Sequence, residues 1–404
     1  MTAPARPAEA FDLRALPESF YTDPYPTYRE LREADPVHAL PSGGVFLTRY
    51  ADVLAVYQDP VRFSSDKRAE FAPKFGASRL FRHHTTSLVF NDAPYHTRVR
   101  KLIAGALIPR ALAPLEAKLT ALVDRLLDEA ARAGGIDAID AFAAAIPVEV
   151  IGDLLAVPMA DRAPLRAWSL AILGALEPAI DAAAFERGED ALAGFLAYLE
   201  GLVSERRSRP GDPAGDVLTR LIQGEGGERL GEPELLENCI FLLNAGHETT
   251  SNLIGNGLEL LARFPAERAR LIADAHLIRP AVEEMLRFES SNQLGNRVTT
   301  AEAQIGSVRL GPGTFVTLGV GAANRDPAAF EDPDRFDITR SPNRHLAFAS
   351  GVHQCAGQNL ARMEGRIALG RFVERFPRYR LAGAPVRNRR ARFRGFARLP
   401  IEVG

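Results

Sequence analysis

A single cysteine lies between two glycines near the carboxyl-terminal end of the sequence, in the segment from Phe348 to Gly357. Apolar residues recur at helical spacing after Gly357, so Cys355 is predicted to stand at the start of a helix. The amides and dipole of a helix start lower the pKa of a cysteine thiol and favour its thiolate, which is a nucleophile and a metal ligand. The flanking glycines lack a Cβ and let the backbone approach something large and flat. These residues alone also fit a small buried apolar side chain before a helix.

Three further patterns combine functional side chains at helical spacing. The stretch Gly246–Thr249 has glycine and threonine three apart, but threonine in a helix often bonds the preceding turn and merely bends it. Glu284 and Arg287 are spaced as an ordinary helix-surface ion pair worth about 0.2–0.5 kcal/mol. His96 and Arg100 are four apart and share a helix face. Each pattern by itself leaves a structural and a functional interpretation open.

The cysteine segment resembles the haem-binding loop of the cytochrome P450 family, Phe-x-x-Gly-x-His-x-Cys-x-Gly, at every fixed position. The three helical patterns also occur in the family's order, so the resemblance covers nearly the whole chain. One departure is Ala349, where many relatives have glycine, and the extra methyl is expected to be tolerated. The resemblance implies a mainly α-helical fold with small β-sheets, a triangular helical prism whose long central helix crosses the haem.

The resemblance also implies a role for each matching residue. Cys355 is the axial thiolate ligand of the iron of haem b, Thr249 hydrogen-bonds dioxygen, and Glu248 helps to deliver protons. The haem propionates need cationic or hydrogen-bonding partners, which are implied to be His96, Arg100, Arg297 and His353. The other residues implied to line the haem are Phe348, Gly351, Gly357, Ala245 and Gly246. Glu284 and Arg287 are implied to form, with Arg335, a buried network that supports the cysteine loop.

The substrate pocket is predicted from family position alone. Phenylalanines there would give an apolar cavity, as ligand sites usually have, and amides would orient a polar group of the ligand. For Asn292 and Gln293 the alternative is an amide that points into solvent. The predicted lining residues are Leu88, Phe90, Phe241, Asn244, Asn292, Gln293 and Phe393, with Phe396 as a further candidate.

The elements that must position these residues follow from periodicity and from proline and glycine. Helices are predicted over 25–34, 233–264, from Pro280 onward and over 357–376, and helical spacing recurs between 98 and 205. The helix over 233–264 would be about 48 Å long, enough to cross a domain. A hairpin is predicted from strands 37–40 and 45–48, further short strands over 305–318, and a polar loop over Gly224–Gly231.

Composition limits the remaining choices. The chain has 404 residues, 46% hydrophobic and 25% charged, with a net charge of -2 and two cysteines. Near-neutral charge argues against nucleic-acid binding, and two cysteines cannot form a disulfide framework. No membrane span or signal peptide is evident, so a cytoplasmic protein is expected. A single domain over 1–404, with an N-terminal arm over 1–20, leaves no room for a fused reductase.

The predicted function is therefore that of a haem-thiolate monooxygenase, which inserts one oxygen atom of O2 into an apolar to moderately polar small molecule. A monomer is expected, with electrons from NAD(P)H reaching it through a reductase and a ferredoxin or flavodoxin. The docking candidates are Arg98, Lys101, Arg362 and Arg366. One alternative is a peroxygenase driven by hydrogen peroxide, although such relatives usually lack the acid–alcohol pair. The other is a haem sensor or electron carrier, which would need neither that pair nor a distal cavity.

Overall fold

Helices dominate the structure, a computed structural model that describes residues 11–105, 107–213, 216–224 and 227–403. The α-helices of these residues are, in chain order, α1 Glu18–Thr22, α2 Tyr25–Ala34, α3 Tyr50–Gln58, α4 Arg68–Phe75, α5 Arg79–Thr86, α6 Tyr95–Ala104, α7 Pro109–Ala133, α8 Ala145–Leu154, α9 Leu165–Gly174, α10 Ala182–Ser208, α11 Val217–Gln223, α12 Glu232–Arg263, α13 Pro265–Ala273, α14 Ile278–Phe288, α15 Val320–Ala323 and α16 Gln358–Arg375.

The strands are short and form small sheets. They are β1 Val37–Ala39, β2 Val45–Leu47, β3 Phe63–Ser64, β4 Gly135–Asp137, β5 Leu294–Thr299, β6 Ala303–Ile305, β7 Val308–Leu310, β8 Phe315–Gly319, β9 Arg380–Leu381, β10 Val386–Arg387, β11 Phe396–Arg398 and β12 Pro400–Glu402. The largest sheet has five strands in the order β1-β2-β8-β5-β3, and β2 pairs with β8 in parallel. The prediction of a mainly helical protein with small sheets is confirmed.

The described residues divide into two compact units. Unit 1 comprises residues 11–65, 256–355 and 385–397 and contains the five-stranded sheet. Its core lies between that sheet and α3, where Val53 packs with Leu47 and Leu318. A second cluster joins Phe11 and Phe20 to α2, so the described part of the predicted N-terminal arm, residues 11–20, packs into this unit. Residues 1–10 of that arm lie outside the described residues.

Unit 2 comprises the described residues of 66–255, 356–384 and 398–403 and is built mainly from long helices. Helix α7 begins at a proline and ends before Gly134, whose φ of 70° is the left-handed conformation that glycine adopts without strain. Trp168 of α9 stacks on Phe195 of α10 with ring centroids 5.1 Å apart. The residues of α12 up to Gly255 belong to this unit, and its last residues belong to unit 1.

The long, strongly periodic elements lie where the sequence predicts them. Helix α2 has the predicted bounds, α12 is shifted by one residue, α16 is shorter by one residue at each end, and α14 begins two residues before Pro280. The predicted hairpin forms, with Val37 opposite Leu47. Strand β5 was not predicted, because its residues include Gly295, Asn296 and Arg297, which hide the alternation. Residues 225 and 226 of the predicted loop lie outside the described residues.

Candidate active site

The cysteine segment folds as a loop that closes on itself within unit 1. The Cys355 N–H donates to the Phe348 carbonyl at 2.9 Å, and the Gln354 N–H donates to the Gly351 carbonyl at 3.0 Å. The second of these bonds closes a single 3-10 turn, Gly351–His353. The Cys355 side chain is partly exposed and stands three residues before α16, as predicted. The backbone therefore fixes the thiol at a defined position, accessible to a ligand.

Two residues of this loop have left-handed backbone conformations. Gly351 has a φ of 68°, and a Cβ there would lie 2.3 Å from the Tyr57 carbonyl oxygen, so only glycine fits. Ala349 has a φ of 55°, a conformation that glycine adopts without strain and that other residues rarely adopt. The left-handed conformation costs a residue with a Cβ roughly 1–2 kcal/mol. The chain accommodates the methyl, and the loop carries the strain.

Glu284 anchors a buried ionic network in unit 1, and one predicted member of it is wrong. Arg287 and Glu284 are fully buried and joined by two hydrogen bonds of 2.7 and 2.8 Å. The second arginine on Glu284 is Arg340, whose Nε donates at 3.2 Å. The predicted member Arg335 has a side chain that is 65% exposed and contributes only its carbonyl oxygen, which accepts from Arg287. The motif spacing does not show which arginine side chain turns inward.

The predicted propionate partners lie in both units. In unit 1, the Arg297 guanidinium lies 5.2 Å from the centroid of the Tyr57 ring, and His353 is partly exposed in the cysteine loop. The carbonyl of Tyr57 also faces Gly351, so this one tyrosine contacts both Arg297 and the loop. In unit 2, His96 is buried and Arg100 is partly exposed on the same face of α6. Tyr57 belongs to no motif, so no pattern in the sequence identifies it as part of the site.

The middle of α12 has an open face although most of the helix is buried. Ala245 is exposed, and Phe241 and Thr249, one turn to either side, are partly exposed. Residues spaced by four share a helix face, so the three form a continuous stripe. Gly246 faces α8, where a Cβ would lie 2.6 Å from the Ile151 side chain. Small residues thus keep one face of α12 open and another tightly packed.

The acid–alcohol pair, Glu248 and Thr249, lies on this helix, and the Thr249 hydroxyl is hydrogen-bonded to the preceding turn. Thr249 Oγ1 donates to the Ala245 carbonyl at 2.8 Å, which is the structural arrangement that the sequence left open. The oxygen keeps its lone pairs for a donor on the open face. Glu248 is buried, and so is the preceding residue His247.

Sequence reasoning missed a buried acid behind this pair. Glu364 of α16 is 1% exposed, and its Oε1 has no hydrogen-bond partner among the described residues. Burial raises the pKa of Glu364 to about 8, and a hydrogen bond from the Thr250 side chain lowers it only in part. The carboxyl is therefore protonated at neutral pH. The available signal was a glutamate on the apolar face of a predicted helix, which composition alone does not distinguish from an exposed one.

The predicted pocket residues of unit 2 lie around one crossing of elements. Helix α5 and the 3-10 turn Leu88–Phe90 pass over α12, where the Leu88 N–H donates to Asn238 at 2.9 Å. His83 Nδ1 lies 2.8 Å from Glu237 Oε2 beside that bond. Leu88 and Asn244 are buried, whereas Phe90 and Phe241 are partly exposed. We name α5 together with the turn the α5 strap.

The predicted pocket residues of unit 1 lie where the start of β5 meets the last hairpin, which is formed by β10 and β11. Asn292 forms an isolated antiparallel bridge with Phe393; Asn292 is partly exposed and Phe393 is buried. Gln293 is buried, and its amide nitrogen donates to the Ser290 carbonyl at 2.8 Å. A Cβ on Gly321 would lie 1.8 Å from Gln293 Oε1. Gln293 is thus packed inside the unit, which rules out the alternative of an amide in solvent. Phe396 is buried in the same hairpin.

The two cysteines have opposite environments. Cys239 is fully buried in α12, and burial raises the pKa of its thiol to about 12. It remains a neutral thiol that packs as a small apolar side chain. Both cysteines are free of disulfides. Separately, no helix among the described residues combines the length and apolar character needed to cross a bilayer.

Comparison with known proteins gives one consistent family. The family described as Cytochrome P450 matches residues 179–390. The chain is 37% identical to cytochrome P450 107B1 of Saccharopolyspora erythraea, over 98% of this chain and 99% of the relative. It is 39% identical to vitamin D(3) 25-hydroxylase of Pseudonocardia autotrophica, over 96% of this chain and 95% of the relative.

Solved structures agree with this result. The structure of P450BioI in complex with an acyl carrier protein ligated to hexadec-9Z-enoic acid superposes with a TM-score of 0.90 at 32% identity. The match covers 96% of this chain and 100% of that one. The structure of CalO2 superposes with a TM-score of 0.91 at 31% identity, over 98% of this chain and 99% of that one.

Proposed function

The chain belongs to the cytochrome P450 family and is a P450 monooxygenase with haem b as its cofactor, and we propose that Cys355 is the ligand of the iron. The observation that carries this proposal is the closed loop, which holds a partly exposed thiol just before α16. Cys239 is a poor candidate, because burial keeps its thiol protonated. The relatives of the chain include one that is named as a hydroxylase.

The residues present fit the haem in chemistry as well as in type. The open stripe Phe241–Ala245–Thr249 offers an accessible face on α12, and the strained loop offers a sulfur ligand. Buried cationic or imidazole side chains suit carboxylate groups, and Arg297 and His96 are both largely buried. We propose that these two, with Arg100 and His353, hold the propionates. Phe348 and Gly351 would then shape the loop side, with Gly357 at the start of α16.

When bound, haem activates dioxygen so that one oxygen atom enters the substrate and the other leaves as water, with electrons and protons consumed. The chain's own part is to bind the substrate, exclude water and supply protons. Thr249 Oγ1 can accept a hydrogen bond on the open face while its own hydroxyl proton is donated to the Ala245 carbonyl. Glu248 supplies a buried carboxyl beside it, and Glu364 holds a further proton next to Thr250 at neutral pH.

The electron donor is proposed to be a ferredoxin or flavodoxin, reduced by its NAD(P)H-dependent reductase. Basic residues of unit 2 favour an acidic partner, whose docking would weaken with salt. Arg98 contributes little net charge, because the carboxylate of Glu234 pairs with it. Lys101, Arg362 and Arg366 remain candidates. We further propose a monomer with one catalytic domain, in the cytoplasm, where free thiols persist.

The ligand assignment is tested by the CO difference spectrum of the reduced holoprotein. Cys355→His should abolish the Soret band characteristic of thiolate ligation. Cys239→Ala, which removes the other thiol, should leave that band in place. Survival of the band in Cys355→His, or its loss only in Cys239→Ala, would overturn the assignment.

The acid–alcohol pair is tested by coupling. Thr249→Ala should divert reducing equivalents from NAD(P)H to peroxide instead of product. Ser251→Ala is the matched control, because Ser251 Oγ likewise donates to the carbonyl of the preceding turn, at 2.9 Å. Equal coupling in Thr249→Ala and wild type would contradict the role, and undiminished turnover with hydrogen peroxide alone would favour the peroxygenase alternative.

A further inference from the structure

Asn244 is a buried amide with no partner. It is 2% exposed, and neither its Oδ1 nor its Nδ2 makes a hydrogen bond with the described residues. Asn238, on the same helix, shows the usual arrangement: its Oδ1 accepts from Leu88 N–H and its Nδ2 donates to the Glu234 carbonyl. A buried amide without partners destabilises a protein, so its retention suggests a partner that arrives with a ligand.

The position of Asn244 points to the substrate. It follows Glu237 by seven residues, or about two turns, and therefore lies on nearly the same face of α12 as the point where the α5 strap crosses. The neighbouring positions Phe241 and Ala245 are the partly exposed and exposed residues of the open stripe. Asn244 thus borders the open face between the strap and Thr249. Along the helix axis, Asn244 and Thr249 are about 7.5 Å apart.

The chemistry of the site selects a neutral group. An amide offers an acceptor oxygen and donor hydrogens, and its best complement is a group that both donates and accepts. A carboxylate would meet two acids on this face of α12, the buried Glu237 and Glu248. His83 and Arg82 are both paired with Glu237, so neither of these side chains is available to bind an anionic ligand.

We propose that Asn244 is the polar anchor of the substrate, and that the substrate is a largely apolar molecule bearing a carboxamide or hydroxyl group. This inference rests on the proposed function of the open face as the substrate side of the haem. The anchor lies more than one turn from Thr249, so the oxidised carbon is separated from the polar group by several bonds. Asn244 therefore sets the class of substrate and the position attacked.

The first test compares matched ligands on the haem-loaded protein. Adamantane-1-carboxamide and its apolar analogue 1-isopropyladamantane are titrated into wild type and Asn244→Leu, and dissociation constants are read from the spin-state shift. The carboxamide should bind wild type about tenfold more tightly than Asn244→Leu, a difference equal to one decade of affinity. The analogue should bind both proteins equally or favour the leucine variant. Equal carboxamide affinities, or no binding of the carboxamide to wild type, would overturn the proposal.

A second test needs no ligand. Removing an unsatisfied buried amide should raise the melting temperature of Asn244→Leu, whereas Asn238→Leu, which removes a satisfied one, should lower it. A fall in both variants would mean that Asn244 is structural and would overturn the proposal. The CO difference spectrum of the same samples separates the two levels. Absence of the thiolate band in wild type would refute the proposed function. A normal band, with ligand affinities that do not change in Asn244→Leu, would refute only this inference.

Discussion

Glu289 in unit 1 and Glu364 in unit 2 are both almost fully buried, yet at neutral pH Glu289 is negatively charged and Glu364 is neutral. Burial alone would raise the pKa of Glu289, but the charges of Arg394, Arg387 and Arg325 hold it at about 2. Among the described residues no cation lowers the pKa of Glu364, and burial raises it to about 8. The same side chain is thus an anion in one place and a neutral acid in the other. Burial sets the cost of the charge, and the partners decide whether the charge exists.

The difference separates structural from functional polar groups. Glu289 also accepts a hydrogen bond from the Tyr25 hydroxyl at 3.1 Å, and Arg394 donates to the carbonyls of residues 21 and 22, so the network ties the last hairpin to the N-terminal helices of unit 1. Near the open face of α12, by contrast, Glu364 and Asn244 each have polar atoms without a partner. Unsatisfied polar groups of this kind are expected at functional sites, where proteins most often break the rules of local satisfaction.

The largest effect is expected from breaking the compensated side of this comparison. Glu289→Gln should lower the free energy of unfolding by about 3–5 kcal/mol, because it leaves buried guanidinium groups without their counter-charge. The measurement is denaturant unfolding at pH 7. Glu18→Gln is the control, since Glu18 forms an exposed ion pair with Arg389. A loss for Glu289→Gln no greater than that of the control would contradict the assigned role.

Glu364, which has no compensating charge among the described residues, should make the stability of the protein depend on pH. The native pKa of Glu364, about 8, exceeds the value of 4.5 expected when unfolded, so the native state holds a proton that the unfolded state releases. Stability should therefore fall as pH rises from about 4.5 to 8, by on the order of a few kcal/mol, and level off above that range. Glu364→Gln should remove this slope, measured by unfolding at pH 5 through 9. Glu374→Gln, exposed on the same helix, should keep it; equal slopes in Glu364→Gln and wild type would contradict the neutral acid.

The opposite sign is expected for Glu289. Its pKa is lowered from 4.5 to about 2, so its stabilising charge is fully present above pH 4.5 and is lost as pH falls toward 2. The acid limb of the stability profile should therefore flatten in Glu289→Gln and persist in Glu364→Gln. An unchanged acid limb in Glu289→Gln would break the comparison at this point.

A smaller effect should distinguish the two arginines near Glu284. Arg340→Ala should cost about 2 kcal/mol, because it removes a charged hydrogen bond to a buried carboxylate. Arg335→Ala should stay within about 0.5 kcal/mol, because its side chain lies in solvent. Chemical denaturation of both variants provides the measurement. The reverse order would restore Arg335 as the third member of the network.

The smallest effect concerns backbone strain beside Cys355. Ala349→Gly should stabilise the protein by up to about 1 kcal/mol, since glycine adopts the left-handed conformation without strain. Ala347→Gly, in the same loop but without a positive φ, should destabilise it instead. Thermal unfolding of the holoprotein measures both. A lower melting temperature for Ala349→Gly would show that the methyl contributes packing that outweighs the strain.

The sequence was sufficient for the features that depend on neighbouring residues. The spacing of Phe348, Gly351, His353 and Cys355 and the run of α12 are local patterns, and the structure has them at or within one residue of the predicted positions. Strand β5 was missed because it is defined by pairing with both β8 and β3 and not by its own alternation. Arg335 was chosen over Arg340 because spacing does not report which side chain turns inward.

By itself, the sequence determined the family, the cysteine that we propose as the iron ligand and the helices that carry the other motifs, because a motif is a matter of residue types at fixed local distances. Only the tertiary structure showed that the Thr249 hydroxyl donates to the Ala245 carbonyl and that Glu364 is neutral at pH 7. It also showed that the Asn244 amide has no hydrogen-bond partner among the described residues. These properties depend on how much water is excluded around a group and on which distant side chains reach it. Neither quantity is written in the neighbouring residues.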